Sequence, residues 1–232
     1  MRILRILLIF IILIVLFVNT YLPCIKFMNN NFKYILPILI IIIIYILFLL
    51  ICFKYRKYFQ KSLRHLFNTV IPYLNKGNIE YWVDFGTLLG IHRDQDIIIG
   101  DNDCDICVWK KDEDKVRPIL KQIAKENNLI FEEYDWGGFR LYYNKFFIDI
   151  YKARIDNKID QVIIPTAPNT PIDLLSDFEM ANVKLHNKNI IIRQPKKWKE
   201  LLEFRYTKNW QNRICKWWLG YFSIDEAKIS SI

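Results

Sequence analysis

Two long apolar runs lie near the start of the chain, ahead of a region in which apolar and polar residues alternate. Residues 3–18 are apolar apart from Arg5, and residues 35–53 contain no charged side chain. A helix rises about 1.5 Å per residue, so about 20 residues cross the hydrocarbon core of a bilayer. We therefore expect two transmembrane helices. A signal sequence is the alternative for the first run.

From residue 58 onward the pattern is that of one globular domain. Apolar side chains recur at three- and four-residue spacing over 58–74, and further helices are predicted after Gly86, at 112–127 and at 196–205. Short apolar or alternating runs predict strands at 79–85, 103–109, 129–134, 139–143, 146–151 and 161–164, and a hairpin that joins 183–185 to 190–192. This order of strands and few helices predicts an α/β or α+β domain with a mixed sheet.

Charge is concentrated at the apolar end of the chain. The hydrophobic fraction of 53% excludes a disordered protein. Residues 1–57 hold seven Lys and Arg residues and no acid, whereas residues 58–232 hold 26 basic and 24 acidic side chains. The net charge of +9 is thus mostly outside the domain. Because nucleic-acid binding needs a basic surface on the folded domain, we expect no nucleic-acid partner.

The Lys and Arg residues also predict how the chain is placed in a membrane. Arg2 and Arg5 precede the first run, and five basic residues between 54 and 64 follow the second. The positive-inside rule then favours a two-span anchor over residues 1–57, in contact with membrane lipid, and a cytosolic domain over 58–232. Five cysteines without a disulfide-framework spacing agree with this. If only the second run spans, the domain faces the lumen of the endoplasmic reticulum or Golgi.

One group of acidic residues carries candidate chemistry. Three aspartates lie around the start of an apolar strand: Asp101 precedes it, and Asp103 and Asp105 lie within it. Because side chains alternate along a strand, Asp103 and Asp105 share one face. Asp149 lies in the middle of another apolar strand and needs a partner there. Carboxylates at one spot repel one another unless a proton or cation lies between them, and Mg²⁺ prefers such oxygen ligands. The alternative is a set of turn acids and one salt-bridged aspartate.

A Gly-Thr pair precedes these acids. Gly86 lies 15 positions before Asp101, where a strand turns into a helix. Glycine at such a junction lets backbone N–H groups approach a phosphate, and the Thr87 hydroxyl can donate as well. The pair alone is common. The full order is more specific: Asp-Phe-Gly-Thr-Leu-Leu-Gly over 84–90, Arg93, the alternating aspartates, and Ile-Asp-Ile over 148–150.

This order of residues resembles the LicD/fukutin group of nucleotidyltransferase-fold proteins. The resemblance covers about residues 60–215 and includes a C-terminal signature at Pro195 and 206–210. Ile99 and Gly100 replace the Pro-Trp of the group's motif, and Thr207 replaces a glycine. The resemblance implies a nucleotidyltransferase-like mixed sheet with flanking helices. It also implies transfer of a phospho-alcohol, such as phosphocholine or ribitol phosphate, from a CDP-activated donor to a glycan hydroxyl.

The resemblance further implies roles for single residues. Asp103, Asp105 and Asp149 would hold Mg²⁺ or Mn²⁺, Gly86 and Thr87 would hold the donor phosphates, and Arg93 would clamp a phosphate. The chemistry of such a transfer also needs a base for the acceptor hydroxyl, and Asp101 or Asp149 would take that proton. Two other functions stay open at this point. One is a catalytically silent membrane scaffold of the same fold, and the other is a nucleotidyltransferase that acts on another acceptor.

Overall fold

The structure is a computed structural model that describes residues 32–135, 137–212, 214–216 and 221–223. The first predicted span, at 3–18, lies outside these residues. The chain forms two compact units, Met1–Phe53 and Lys54–Ile232.

The described part of the first unit is helical. Helix α1 comprises Phe32–Lys76 and includes the apolar run predicted at 35–53. Its stretch from Pro37 onward is long and apolar enough to cross a membrane, and its most apolar window contains no buried residue. It is the one helix with these properties in the described part of the chain. Such exposure of apolar side chains agrees with the predicted membrane association.

The second unit begins with the amphipathic part of α1. Six apolar side chains on one face are fully buried, as the spacing predicts: Leu63, Leu66, Phe67, Val70, Ile71 and Leu74. The helix ends at Lys76, and the Gly77 N–H then donates to the Tyr73 carbonyl at 2.8 Å. The other helices are α2 (Phe85–Asp94), α3 (Glu113–Glu126) and α4 (Trp198–Tyr206).

Seven of the described strands form one mixed sheet in the order β1-β2-β5-β4-β3, with β6 paired to β5 and β7 to β6. Their bounds are β1 Tyr81–Val83, β2 Asp103–Trp109, β3 Ile130–Tyr134, β4 Gly138–Tyr143, β5 Phe146–Asp156, β6 Gln161–Ile163 and β7 Thr170–Pro171. Strands β2 and β5 are parallel, and the other neighbours in this sheet are antiparallel. The mixed α+β architecture predicted from the sequence is confirmed.

Two further hairpins complete the described fold. Strands β8 (Phe178–Leu185) and β9 (Lys188–Pro195) form the hairpin that the sequence predicts, with longer strands than expected. Strands β10 (Ile214–Lys216) and β11 (Tyr221–Ser223) form a second, which the sequence pattern does not reveal.

The register of the central strands places one set of core residues on one face of the sheet and the acids on the other. Cys104 of β2 pairs with Ile148 of β5, which pairs with Leu141 of β4, and all three side chains are buried in the core. The apolar residues of α3, including Val116 and Leu120, belong to the same core. Because side chains alternate along a strand, the residues between these positions point to the opposite face. That face carries the acids.

Candidate active site

The parallel pairing of β2 and β5 brings three of the predicted acids together. Asp105 lies directly opposite Asp149, and Asp103 lies two positions earlier on the same face of β2. One carboxylate oxygen from each of these three residues lies within 4.8 Å of the others. We call this group the acid cluster. Its formation agrees with the geometry predicted from strand alternation, while metal binding by these residues stays a prediction.

Asp101 and Gly86 border the acid cluster. A Cβ atom placed on Gly86 would lie 3.3 Å from Asp101 Oδ2 and 3.9 Å from Asp105 Oδ2. The first of these distances is tighter than most real contacts, so a side chain at this position would press on the Asp101 carboxylate. The absence of a side chain at Gly86 therefore leaves its backbone close to both carboxylates, while its predicted contact with a donor phosphate stays a prediction.

Burial and mutual repulsion make these carboxylates hard to ionise. Burial, followed by the charge of Asp103, raises the pKa of Asp101 to about 7. Burial, followed by the charge of Asp149, raises the pKa of Asp103 to about 6. Burial and the charges of its acidic neighbours raise the pKa of Asp105 well above its usual range. A cation placed among these oxygens would remove the repulsion and favour the ionised forms.

Arg140 is a site residue that the sequence reasoning missed. It lies opposite Asp149 in the antiparallel pairing of β4 and β5. Its Nε and Nη2 donate to the two oxygens of Asp149, the second at 2.8 Å. The guanidinium also lies 4.0 Å from the centre of the Phe147 ring. The interpretation of Asp149 as a salt-bridged aspartate is therefore correct in part, since the same residue belongs to the acid cluster.

An arginine in the interior of an apolar strand was the signal that could have revealed this pair. Arg140 stands between Phe139 and Leu141, both fully buried. Such a charge needs a partner on its own face of the sheet. Its partner could not be identified from the sequence because that depends on the β4–β5 register.

The structure places Thr87 at the acid cluster but gives its hydroxyl a different contact from the predicted one. The side chain is buried, and Oγ1 accepts a hydrogen bond from the Asp105 N–H at 2.8 Å. Because the hydroxyl points at strand β2, it positions Asp105 in this structure. A hydroxyl that accepts one hydrogen bond can still donate another, so the contact of Thr87 with a donor phosphate stays a prediction, as does that of the Gly86 backbone.

Arg93, the predicted phosphate clamp, forms an ion pair with the next residue in the chain. Its Nε and Nη2 donate to the two oxygens of Asp94 at 2.9 and 3.0 Å, and only 7% of its side chain is exposed. Its charge opposes the larger effects of burial and Asp103 on the pKa of Asp101, which shows that it lies near that carboxyl. A phosphate would therefore have to compete with Asp94 for this guanidinium.

A third ion pair lies at the start of helix α2. Asp84, which is fully buried, accepts hydrogen bonds from Arg205 Nε and Nη2, both at 2.6 Å. Asp84 belongs to the motif, but its partner lies in the last helix of the described chain, and sequence reasoning did not connect them. The available signals were an acid at the end of an apolar strand and an arginine on the same helix face as Leu201 and Leu202.

Cys104, Cys107 and His92 have environments that are typical of packing residues. Cys104 and Cys107 are free and buried, and burial raises both thiol pKa values well above the usual range, which makes them poor nucleophiles. His92 stacks on Trp198 with ring centres 3.6 Å apart and forms a hydrogen bond with Gln194. Burial lowers its pKa. The contacts of His92 with Trp198 and Gln194 are those of a packing residue.

Comparison with solved structures gives distant similarities. The antibiotic-resistance factor ANT(2'')-Ia aligns with a TM-score of 0.41 and 15% identity over 62% of this chain and 69% of that one. The lincomycin-bound lincosamide antibiotic adenylyltransferase LnuA aligns with a TM-score of 0.37 and 17% identity over 62% of this chain and 84% of that one.

The sequence relatives align with a shorter segment of this chain than the solved structures do. The uncharacterized protein RT0683 of Rickettsia typhi is 37% identical over 87 residues, which are 38% of this chain and 25% of that protein. The uncharacterized protein RP689 of Rickettsia prowazekii is 42% identical over 64 residues, which are 28% of this chain and 24% of that protein. The chain thus spans about a quarter of the length of these curated relatives.

The family comparison covers the acid cluster itself. Residues 78–170 match the family described as LicD/FKTN/FKRP, nucleotidyltransferase domain. This segment contains the Gly86 turn, the acid cluster and Arg140, but neither helix α1 nor helix α4. The resemblance seen in the sequence motif is confirmed over residues 78–170, which match the nucleotidyltransferase domain of the LicD/FKTN/FKRP family.

Proposed function

We propose that this protein is a membrane-anchored, metal-dependent phosphotransferase. It would move a phospho-alcohol, such as phosphocholine or ribitol phosphate, from a CDP-activated donor to a glycan hydroxyl. The observation that carries the proposal is the convergence of Asp103, Asp105 and Asp149 on one sheet face within the family segment. The apolar part of helix α1 supports the membrane anchor.

The acid cluster fits a hard divalent cation. Its candidate ligands are carboxylate oxygens, which suit Mg²⁺ or Mn²⁺ better than softer metals. Burial, and after it the charge of a neighbouring acid, raises the pKa of Asp101 and of Asp103, and a cation among these oxygens would favour their ionised forms. When bound, such an ion stabilises the negative charge that develops on the phosphate oxygens during transfer.

The surrounding residues have distinct tasks in this proposal. The Gly86 backbone borders the cluster and leaves room for donor phosphates to approach it. Arg140 holds both oxygens of Asp149 and thereby fixes the direction of that carboxylate. Because Asp149 is held in this way, Asp101 is the better candidate for the base that takes the proton of the acceptor hydroxyl. A pKa near neutrality suits that role.

The scaffold alternative rests on the Arg140–Asp149 ion pair, which gives one of the three carboxylates of the cluster a positive partner without a metal. It leaves Asp103 and Asp105 without a comparable partner among the described residues. Clustered carboxylates reduce the stability of a fold, so a scaffold gains nothing by holding them together. Metal-dependent release of CMP from CDP-linked donors distinguishes the two functions.

Single amide substitutions in the acid cluster should abolish most of the activity. Asp103→Asn or Asp149→Asn keeps the side-chain volume and removes a charge that holds the metal. Because metal-based charge stabilisation contributes several kcal/mol to catalysis, the rate of CMP release should fall by about a hundredfold or more. Asp112→Asn is the control, since this residue lies beyond the end of β2 and pairs with Lys115. Near-normal turnover by both folded cluster variants would refute the metal-centred mechanism.

The acid cluster also predicts the pH dependence of stability without metal. An Asp103 pKa of about 6, against a reference value of 3.8, means that the folded protein binds this proton more tightly than the unfolded chain. The cluster therefore destabilises the fold progressively as the pH rises from about 4 to 6. We expect Asp103→Asn to raise the melting temperature of the metal-free protein at pH 7.5.

This gain should shrink as the pH falls toward 4, and saturating Mn²⁺ at pH 7.5 should stabilise the natural protein more than the variant. Differential scanning fluorimetry over this pH range measures both effects, with Asp112→Asn as the control. A variant that is less stable than the natural protein at pH 7.5 without metal, or a gain that does not change with pH, would contradict the assignment.

The Lys and Arg pattern predicts a cytosolic domain. In sealed membrane vesicles with the cytosolic side outward, added protease should digest residues 58–232, because the basic residues that follow the apolar run stay on the cytosolic side. Immunoblotting against a C-terminal tag measures the digestion, and vesicles opened with detergent give the fully digested control. Complete protection of the domain in sealed vesicles would instead favour the lumenal, single-span arrangement.

A further inference from the structure

Helix α4, which lies outside the matched segment 78–170, contributes a residue that contacts the start of helix α2. We propose that Arg205 is a positioning residue, which sets the place of Asp105 by holding Asp84 at the start of helix α2. The proposal deepens the proposed function, because it rests on the acid cluster being the metal-binding site.

The link between Arg205 and Asp84 is short, double and buried. Nε donates to Oδ1 and Nη2 donates to Oδ2, each at 2.6 Å. Arg205 is 6% exposed and Asp84 is fully buried, so water does not screen the pair. A bidentate pair of an arginine and a carboxylate restrains both the distance and the angle between its partners. The two residues are 121 positions apart, so this contact ties the end of α4 to the beginning of α2.

The same Asp84 carboxylate determines how helix α2 begins. Asp84 is the N-cap, and its Oδ1 accepts a hydrogen bond from the Phe85 N–H at 2.7 Å. Phe85 has a positive φ of 49°, which is uncommon for a residue with a side chain and persists only where its surroundings require it. The guanidinium of Arg205 lies 4.1 Å from the centre of the Phe85 ring. Arg205 thus contacts both residues that define the helix start.

The first turn of α2 in turn holds the backbone of Asp105 on both sides. The Asp84 N–H donates to the Asp105 carbonyl at 3.4 Å, and the Asp105 N–H donates to Thr87 Oγ1 at 2.8 Å. Gly86 lies between these two anchors and borders the Asp105 carboxylate. A displacement of the α2 start would therefore move Asp105 and change the space beside its carboxylate.

The Arg205–Asp84 pair also includes a feature that is unfavourable for stability. Nη1 of Arg205 is buried and has no hydrogen-bond partner in the described part of the chain. An unsatisfied buried donor carries an energetic penalty, and well-packed apolar residues often stabilise a core as well as a buried ion pair does. Precise placement of Asp84 is the gain that this arrangement offers.

The test compares metal affinity with stability in the full-length protein. Arg205→Lys keeps the charge but loses the bidentate geometry. The double variant Asp84→Asn with Arg205→Met removes both charges, so that no lone charge is buried, and the asparagine side chain can still cap the helix. We expect Mn²⁺ affinity, measured by electron paramagnetic resonance of the free ion, to fall roughly tenfold in both variants.

Arg193→Lys is the matched control. Arg193 also pairs with a carboxylate, that of Glu80 at 3.0 Å, and also has a buried nitrogen without a hydrogen-bond partner in the described chain. Because its ion pair lies outside the α2 start and the acid cluster, its substitution should leave Mn²⁺ affinity unchanged. Lower melting temperatures with unchanged Mn²⁺ affinity in both Arg205 variants would overturn the positioning role.

A second readout separates failure of this proposal from failure of the proposed function. Amide hydrogen exchange of peptides that cover 84–90 and 100–110 reports on the α2 start and the Asp105 backbone without any metal. We expect faster exchange in these peptides for Arg205→Lys but not for Arg193→Lys. If the natural protein binds no Mn²⁺, the proposed function fails, and the exchange result alone decides: unchanged exchange in Arg205→Lys refutes the positioning role.

Discussion

The parallel pairing of β2 with β5 is the constraint on which the candidate site depends. It sets Asp105 opposite Asp149 and places Asp103 on the same face. A slip of one residue in this register would turn the facing carboxylates to opposite faces and expose apolar residues that now lie in the core. Burial of the apolar set that includes Cys104 and Ile148 therefore determines this register, and with it the positions of the three acids.

The arrangement collects negative charge and surrounds it with arginines. Arg140 pairs with Asp149, Arg93 pairs with Asp94 near Asp101, and Arg205 pairs with Asp84 beneath the start of α2. None of these contacts is an ion pair with Asp103 or Asp105. A divalent cation would let those two carboxylates ionise together, which is what suits the cluster to such an ion, while the arginines fix the groups around it.

Local pattern explains most of what could be predicted from the sequence. Strand alternation over 103–109 predicted that Asp103 and Asp105 share a face, and the apolar surroundings of Asp149 predicted that it needs a partner. The contacts that escaped prediction depend on tertiary structure. Arg140 finds Asp149 through the β4–β5 register, and Arg205 finds Asp84 across 121 positions. Likewise, the direction of the Thr87 hydroxyl follows from the packing of α2 on β2, which the motif does not specify.

The central claim is that the acid cluster holds a divalent cation, and a crystal of the protein grown with Mn²⁺ tests it most directly. Anomalous scattering from manganese locates the ion without reference to activity or substrate. The account predicts one strong anomalous peak in direct contact with carboxylate oxygens of Asp103, Asp105 and Asp149. A structure at saturating Mn²⁺ with no peak at these oxygens, or with Arg140 still the only cation there, would contradict it.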